Sequence, residues 1–145
     1  MKITKNFPCN INELENIALF IESSLLSFGL DKKHIKQAQL ITEELFTNVV
    51  KYGGVKEKDP YTIEIEKMDN SLMIVYKDQG TAFNPLEKKD PDINASLEDR
   101  PIGGLGIYLV KQLSDQVLYK RNGNINEITV IKNLWPRKDL LKAES

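Results

Sequence analysis

Hydrophobic positions recur along this chain with two different periods, and the switches between them outline its elements. At the start, Ile3 and Phe7 fall on one face of a short extended run over residues 1–7, which predicts an edge strand ended by Pro8. Asn10 and Glu13 then stand at capping-box spacing. Leu14, Ile17, Ala18, Ile21, Leu25 and Phe28 follow at helical spacing, and Gly29 is a natural C-terminal stop. Asp31 can cap a second helix with Ile35, Ala38, Ile41, Thr42, Leu45 and Val49 as its inward stripe. That helix runs to about Tyr52, where Gly53-Gly54 ends it.

Beyond a charged turn the period changes to two. Residues 61–67 alternate as a strand, Asp69-Asn70 makes a tight turn, and Leu72 to Tyr76 is a continuous apolar run that predicts a central buried strand. Residues 81–102 are polar, hold three prolines and show no period. A stretch of that length inside a small domain is expected to be a lid or binding loop. Gly103-Gly104-Leu105-Gly106 opens a third helix with Ile107, Val110 and Leu113 facing in. Strands over 117–120 and 125–131 flank Asn122-Gly123, a hairpin signal. The last eleven residues are polar apart from Trp135 and two leucines and are expected to fray. The order β-α-α-β-β-lid-α-β-β predicts a two-layer α/β sandwich, with the helices together on one face of a mixed β-sheet.

Composition narrows the function classes. The chain has 145 residues, which suits one domain over 1–145, and 41% of them are hydrophobic, enough for a core. A balance of 20 basic and 21 acidic residues offers no bulk charge for nucleic acid or an acidic membrane. The lone cysteine, Cys9, excludes an internal disulfide and reads as a small buried hydrophobe in a reducing compartment. With no apolar run of membrane-spanning or signal-peptide length, the expectation is a soluble, cytoplasmic protein. The single histidine, His34, reads as a surface residue.

Three local features could carry chemistry. On the second helix Glu44 and Asn48 stand at i and i+4, and Lys51 and Tyr52 return to the same face. One stripe thus presents a carboxylate, an amide oxygen, a cation and an aromatic ring, although a solvated amphipathic face would look the same. Asp78-Gln79-Gly80, followed by Ala82-Phe83-Asn84-Pro85, places a carboxylate at the end of the most apolar strand, with a glycine that permits close backbone approach. An ordinary turn has the same composition. Finally, the glycines at 103, 104 and 106 expose backbone N–H groups at a helix start, which suits phosphate. No Lys-Ser or Lys-Thr follows them, so this is not a Walker A loop.

Taken in order, TEELFTNVVKYG, KDQGTAFNP and RPIGGLGIYLVKQLSD resemble the N box and two glycine boxes of the ATPase superfamily that holds gyrase, histidine kinases and mismatch-repair ATPases. Within it the chain is similar to the anti-sigma-factor serine-protein kinases, over about residues 10–133. The resemblance implies a Bergerat-type ATP-binding fold with ATP and Mg²⁺ as cofactors. It implies that Asn48 ligates Mg²⁺, that Glu44 is the general base toward an acceptor hydroxyl, and that Asp78 accepts a hydrogen bond from the adenine amino group, with Gly80 beneath the base. Gly104 and Gly106 match lid-hinge glycines near the phosphates, with Gly103, Leu105 and Phe83 in the same boxes. Lys51, Tyr52, Thr129 and Arg100 match further nucleotide or partner contacts. Asn84 stands where an aspartate is usual, and Ala82 where Gly or Pro is usual, which leaves the lid geometry open.

Glu44 directs the mechanistic expectation. A hydroxyl acceptor or water needs a carboxylate to orient it, whereas a histidine acceptor does not. The family's implied partners are a STAS-type anti-sigma-factor antagonist, phosphorylated on serine or threonine, and a sigma factor, held by a homodimer. Two other readings remain open at this level: an ATP-gated binding module without chemistry, and a detached ATP domain of a histidine kinase.

Overall fold

The computed structural model describes residues 1–87 and 104–134. Its elements are β1 (Lys2–Pro8), α1 (Leu14–Ser27), α2 (Lys32–Tyr52), β2 (Pro60–Lys67), β3 (Ser71–Asp78), α3 (Gly104–Leu113), β4 (Gln116–Asn122) and β5 (Ile125–Asn133), with 3-10 turns at Ile11–Glu13 and Pro85–Glu87. The strands form one five-stranded sheet in the order β1-β2-β3-β5-β4. The two-layer α/β arrangement is as expected, but the mixed sheet is not: every strand pairing among the described residues is antiparallel. The expectation of a mixed sheet came from element order alone, which does not fix which strands become neighbours.

Local chemistry accounts for the helix ends. Asp31 accepts from His34 N at 3.0 Å and caps α2, and the same carboxylate meets His34 Nδ1 at 2.7 Å. Gly29, at φ +79°, ends α1 in a double C-terminal bond, with Gly29 N to Leu26 O and Leu30 N to Leu25 O. The capping box at Asn10 works one turn early. Asn10 accepts from Asn12 N and starts the 3-10 turn, while Glu13 accepts from Asn16 instead of reaching back. In the hairpin, Asn122 pairs with Ile125, so the two loop residues are Gly123 and Asn124, with Gly123 at φ +62°.

The core lies between the sheet and α2, which packs against both α1 and α3. Ile63, Ile65, Leu72, Ile74 and Val130 on the sheet meet Ile35, Ala38, Ile41 and Leu45 on α2. Each fully buried aliphatic side chain contributes roughly 1.5–3 kcal/mol. Phe46 is also fully buried, edge-on to Tyr61 at 5.0 Å between ring centroids. At one end of the sheet the inward face turns polar, with Asp78 and Asn126 buried there.

Candidate functional site

The site begins where β3 and β5 stop being apolar. Their register sets Asp78 directly opposite Asn126, both on the face toward α2. Asp78 is only 6% exposed. Its Oδ1 accepts from Gly80 N at 2.9 Å and from Asn126 Nδ2 at 3.0 Å. The turn after β3 is then held from two further sides. Thr81 N donates to Gly53 O at the C-terminal end of α2, and Arg121 on β4 donates to Gly80 O at 2.8 Å. A Cβ built on Gly80 would collide with Gly53 O and lie 2.9 Å from Asp78 Oδ1, so only glycine lets the turn pass this close to α2.

A largely apolar recess opens above this turn. It is lined by Leu45, Val49, Tyr61, Tyr76, Phe83, Pro85 and Ile128, with Asp78, Asn126, Asn48 and Tyr52 as its polar edge. Beneath it, Tyr76 OH and Thr42 Oγ1 bond at 2.8 Å, and Thr42 bonds back to Ala38 O. Burial pushes both buried tyrosines, Tyr61 and Tyr76, well above the usual phenol range, so they serve as neutral walls. Asn84 accepts from Leu86 N at 2.9 Å and so caps the Pro85–Glu87 turn; its amide oxygen does here what an aspartate oxygen would do.

A second recess adjoins the first and shares Asn48 and Tyr52 with it. It is more open and polar, lined by Glu44, Thr47, Lys51, Gly106, Ile107 and Leu109. The helical spacing of α2 places Glu44, Asn48 and Lys51 along one wall, and the first turn of α3 forms the other. A Cβ built on Gly106 would collide with Glu44 Oε2, the mobile end of that side chain, so a larger residue there would displace the carboxylate. Desolvation, then repulsion from Glu43, push the Glu44 carboxyl above its ordinary range, and the Lys51 charge partly offsets this.

Most of the residues singled out in the sequence come together here. Asn48, Tyr52, Asp78 and Phe83 meet at the apolar recess, and Glu44, Lys51 and Gly106 at the polar one. Gly80 is buried under the turn and is not on the recess wall. Thr129 is a correction: strand alternation puts it on the face opposite Asn126, Ile128 and Val130, away from both recesses. Arg100 and Gly103 lie outside the described residues, as does most of the lid over 81–102, and Gly104 and Leu105 are placed only in the first turn of α3. Sequence reasoning missed Tyr61, Tyr76, Ile128 and Asn126. The first two were legible as buried aromatic positions, but pairing Asn126 with Asp78, 48 residues away, needs the β3–β5 register.

The donor set suits a hard cation shared with phosphates. No group of three or more His, Cys, Asp or Glu side chains forms a metal cage among the described residues. The Asn48 amide makes no hydrogen bond to another described residue and stands between the two recesses. A magnesium ion bound mainly through phosphate oxygens and water needs few protein ligands.

The chain is 28% identical over 98% of its length, and 94% of the relative's, to "Serine-protein kinase RsbW" of Staphylococcus epidermidis. It is 28% identical over 84% of its length, and 82% of the relative's, to the protein of the same name from Listeria monocytogenes. Its fold matches the solved RsbU and RsbW domains of Rv1364c from Mycobacterium tuberculosis, with TM-score 0.67 and 12% identity over 92% of this chain, which spans only 32% of that chain. It also matches the histidine kinase AdeS of Acinetobacter baumannii, with TM-score 0.52 and 13% identity over 91% of this chain and 68% of that one. No described helix is long and apolar enough to cross a membrane. Residues 7–132 match the family described as "Histidine kinase-like ATPase domain", and the chain belongs to that family.

Proposed function

We propose that this protein binds Mg-ATP across the two recesses and transfers the γ-phosphate to a serine or threonine of a STAS-type anti-sigma-factor antagonist. The observation that carries this reading is the half-buried Glu44, set beside Asn48 and Lys51 next to an apolar recess whose end holds a buried carboxylate. Asp78 accepts from the adenine amino group, and Tyr61, Tyr76 and Ile128 line the space around the base. Asn48 and Lys51 face the phosphates, and the N-terminal turn of α3 adds backbone N–H groups. Asn48 would hold a magnesium ion shared with the phosphates, and the ion would supply charge neutralisation there. Glu44 orients the acceptor hydroxyl and takes its proton, and its raised pKa brings it nearer the working pH of a general base. The chain acts as a homodimer that holds a sigma factor when the antagonist is phosphorylated.

Proteins captured from native lysate in Mg-ATP and in Mg-ADP, followed by phosphosite mass spectrometry, test this. A small STAS-domain partner with a new phosphoserine or phosphothreonine in ATP, retained with ADP, is the expected outcome. Nucleotide-dependent capture without new phosphate would overturn the kinase reading in favour of an ATP-gated binding module.

A further inference from the structure

Asn126 is held from both ends of its side-chain amide within the protein. Its Oδ1 accepts from Tyr119 OH at 2.6 Å, and its Nδ2 donates to Asp78 Oδ1 at 3.0 Å and to Thr81 O at 2.9 Å. The amide has one workable orientation. Flipped, its oxygen would face the Asp78 carboxylate and the Thr81 carbonyl, two acceptors with nothing to donate. The cause is register. Asp78 and Asn126 are direct cross-strand partners, and Tyr119 on β4, paired with Ile128 on β5, reaches Asn126 diagonally.

The consequence falls on Asp78. Its Oδ1 is already committed to Gly80 N and Asn126 Nδ2, and among the described residues no hydrogen bond falls on Oδ2. With Oδ1 filled, only Oδ2 is left to a ligand, which serves a single donor group such as the exocyclic amino group of adenine. Guanine presents two adjacent donors, N1–H and N2–H, and a carboxylate recognises that edge with both oxygens. We propose that Asn126 is a positioning residue which, by occupying Asp78 Oδ1, makes the apolar recess select adenine over guanine nucleotides. This rests on the reading of the recess as a nucleotide site. Asn126 does not itself touch the base; it acts through Asp78.

Calorimetry with ATP and with GTP on the full chain tests it. In Asn126→Ala, ATP affinity falls about tenfold, the scale of one hydrogen bond to a charged group, and the ratio of the GTP to the ATP dissociation constant falls by a similar factor. A merely structural role would weaken both nucleotides alike and leave the ratio unmoved. Tyr119→Phe, which releases the amide to rotate, moves the ratio in the same direction by less.

Asn126→Asp supplies a readout of a different kind. Two carboxylates about 3 Å apart share one proton. The protonated partner can donate as the amide does, so this variant binds ATP nearly normally at about pH 6 and loses affinity toward about pH 8, where wild type stays flat. The other ionisable groups around Asp78 are Cys9, Tyr61, Tyr119 and Arg121. Burial, with the Asp78 and Asp59 charges, raises the Cys9 thiol to about 11. Burial, then Tyr76, Asp78 and Cys9, raise Tyr61 well above its usual range, so both stay neutral through that window.

If Asn126→Ala does not fold, Tyr119→Phe and the pH profile of Asn126→Asp decide. An unchanged GTP-to-ATP ratio in the folded variants, with wild-type ATP binding intact, overturns the selectivity role alone. A wild-type chain that binds neither nucleotide overturns the ATP reading, and this inference with it.

Discussion

The two recesses share Asn48 and Tyr52 yet are built in opposite ways. The apolar one is the more enclosed. Its carboxylate is 6% exposed, carries two hydrogen bonds, and sits on a turn tied to α2 and β4. The polar one is open. Its carboxylate carries a raised pKa, its amide is unbonded among the described residues, and Lys51 is exposed. A base has a fixed shape and benefits from a preformed pocket. On the proposed reading, the polar groups of the second recess are left free for the phosphates of a ligand.

This contrast makes ordered predictions. Glu44→Gln should leave ATP binding within about threefold and lower transfer by about 100-fold or more, the span of one general base. Phosphotransfer to the antagonist and calorimetry together check it, and a variant that transfers at the wild-type rate would place the base elsewhere. On the proposed reading, Asn48→Ala is expected to weaken ATP by about 30-fold in Mg²⁺ and by far less in EDTA, because it removes a protein ligand of the metal. Equal losses in both media would sink the ligand assignment.

Gly106→Ala probes the junction of α3 with Glu44. The added methyl collides with Glu44 Oε2, so transfer should fall about tenfold while ATP affinity changes little. Transfer at the wild-type level would mean that Glu44 need not stay where α3 now confines it.

The smallest effect concerns pH. The folded-state pKa of Glu44 lies above its unfolded value, so the folded chain binds more protons and ionising Glu44 costs stability. That cost is absent below the unfolded value and grows as pH rises through the raised one. Glu44→Gln removes it and should raise Tm slightly at neutral pH but not in acid. Wild-type transfer should lose rate at a pH above the ordinary glutamate range. A Tm difference independent of pH would mean that the substitution acts by packing.

Several parts of both recesses were legible before any fold was known, because their chemistry is local. Glu44, Asn48, Lys51 and Tyr52 share a face through helical spacing alone. Gly80 marks a close approach, here of the turn to the end of α2, that any larger residue would obstruct. Legibility ended where contacts span the sheet. Thr129 looked like a nucleotide contact by motif position, yet one residue of strand phase decides which face a side chain takes. Asn126 was read only as part of the last strand and proves to be the cross-strand partner of Asp78.

By itself, then, the sequence determined the elements, their caps and the residue types of the boxes, since periodicity, capping and glycine tolerance act within a few residues. Strand order, the antiparallel sense throughout, and the register that joins Asp78, Asn126 and Tyr119 were decided only in the tertiary structure. The physical reason is that alternating strands carry little to tell one partner from another. Neighbours are chosen when the whole inward face, from Phe7 to Val130, is buried together against α2 and its flanking helices.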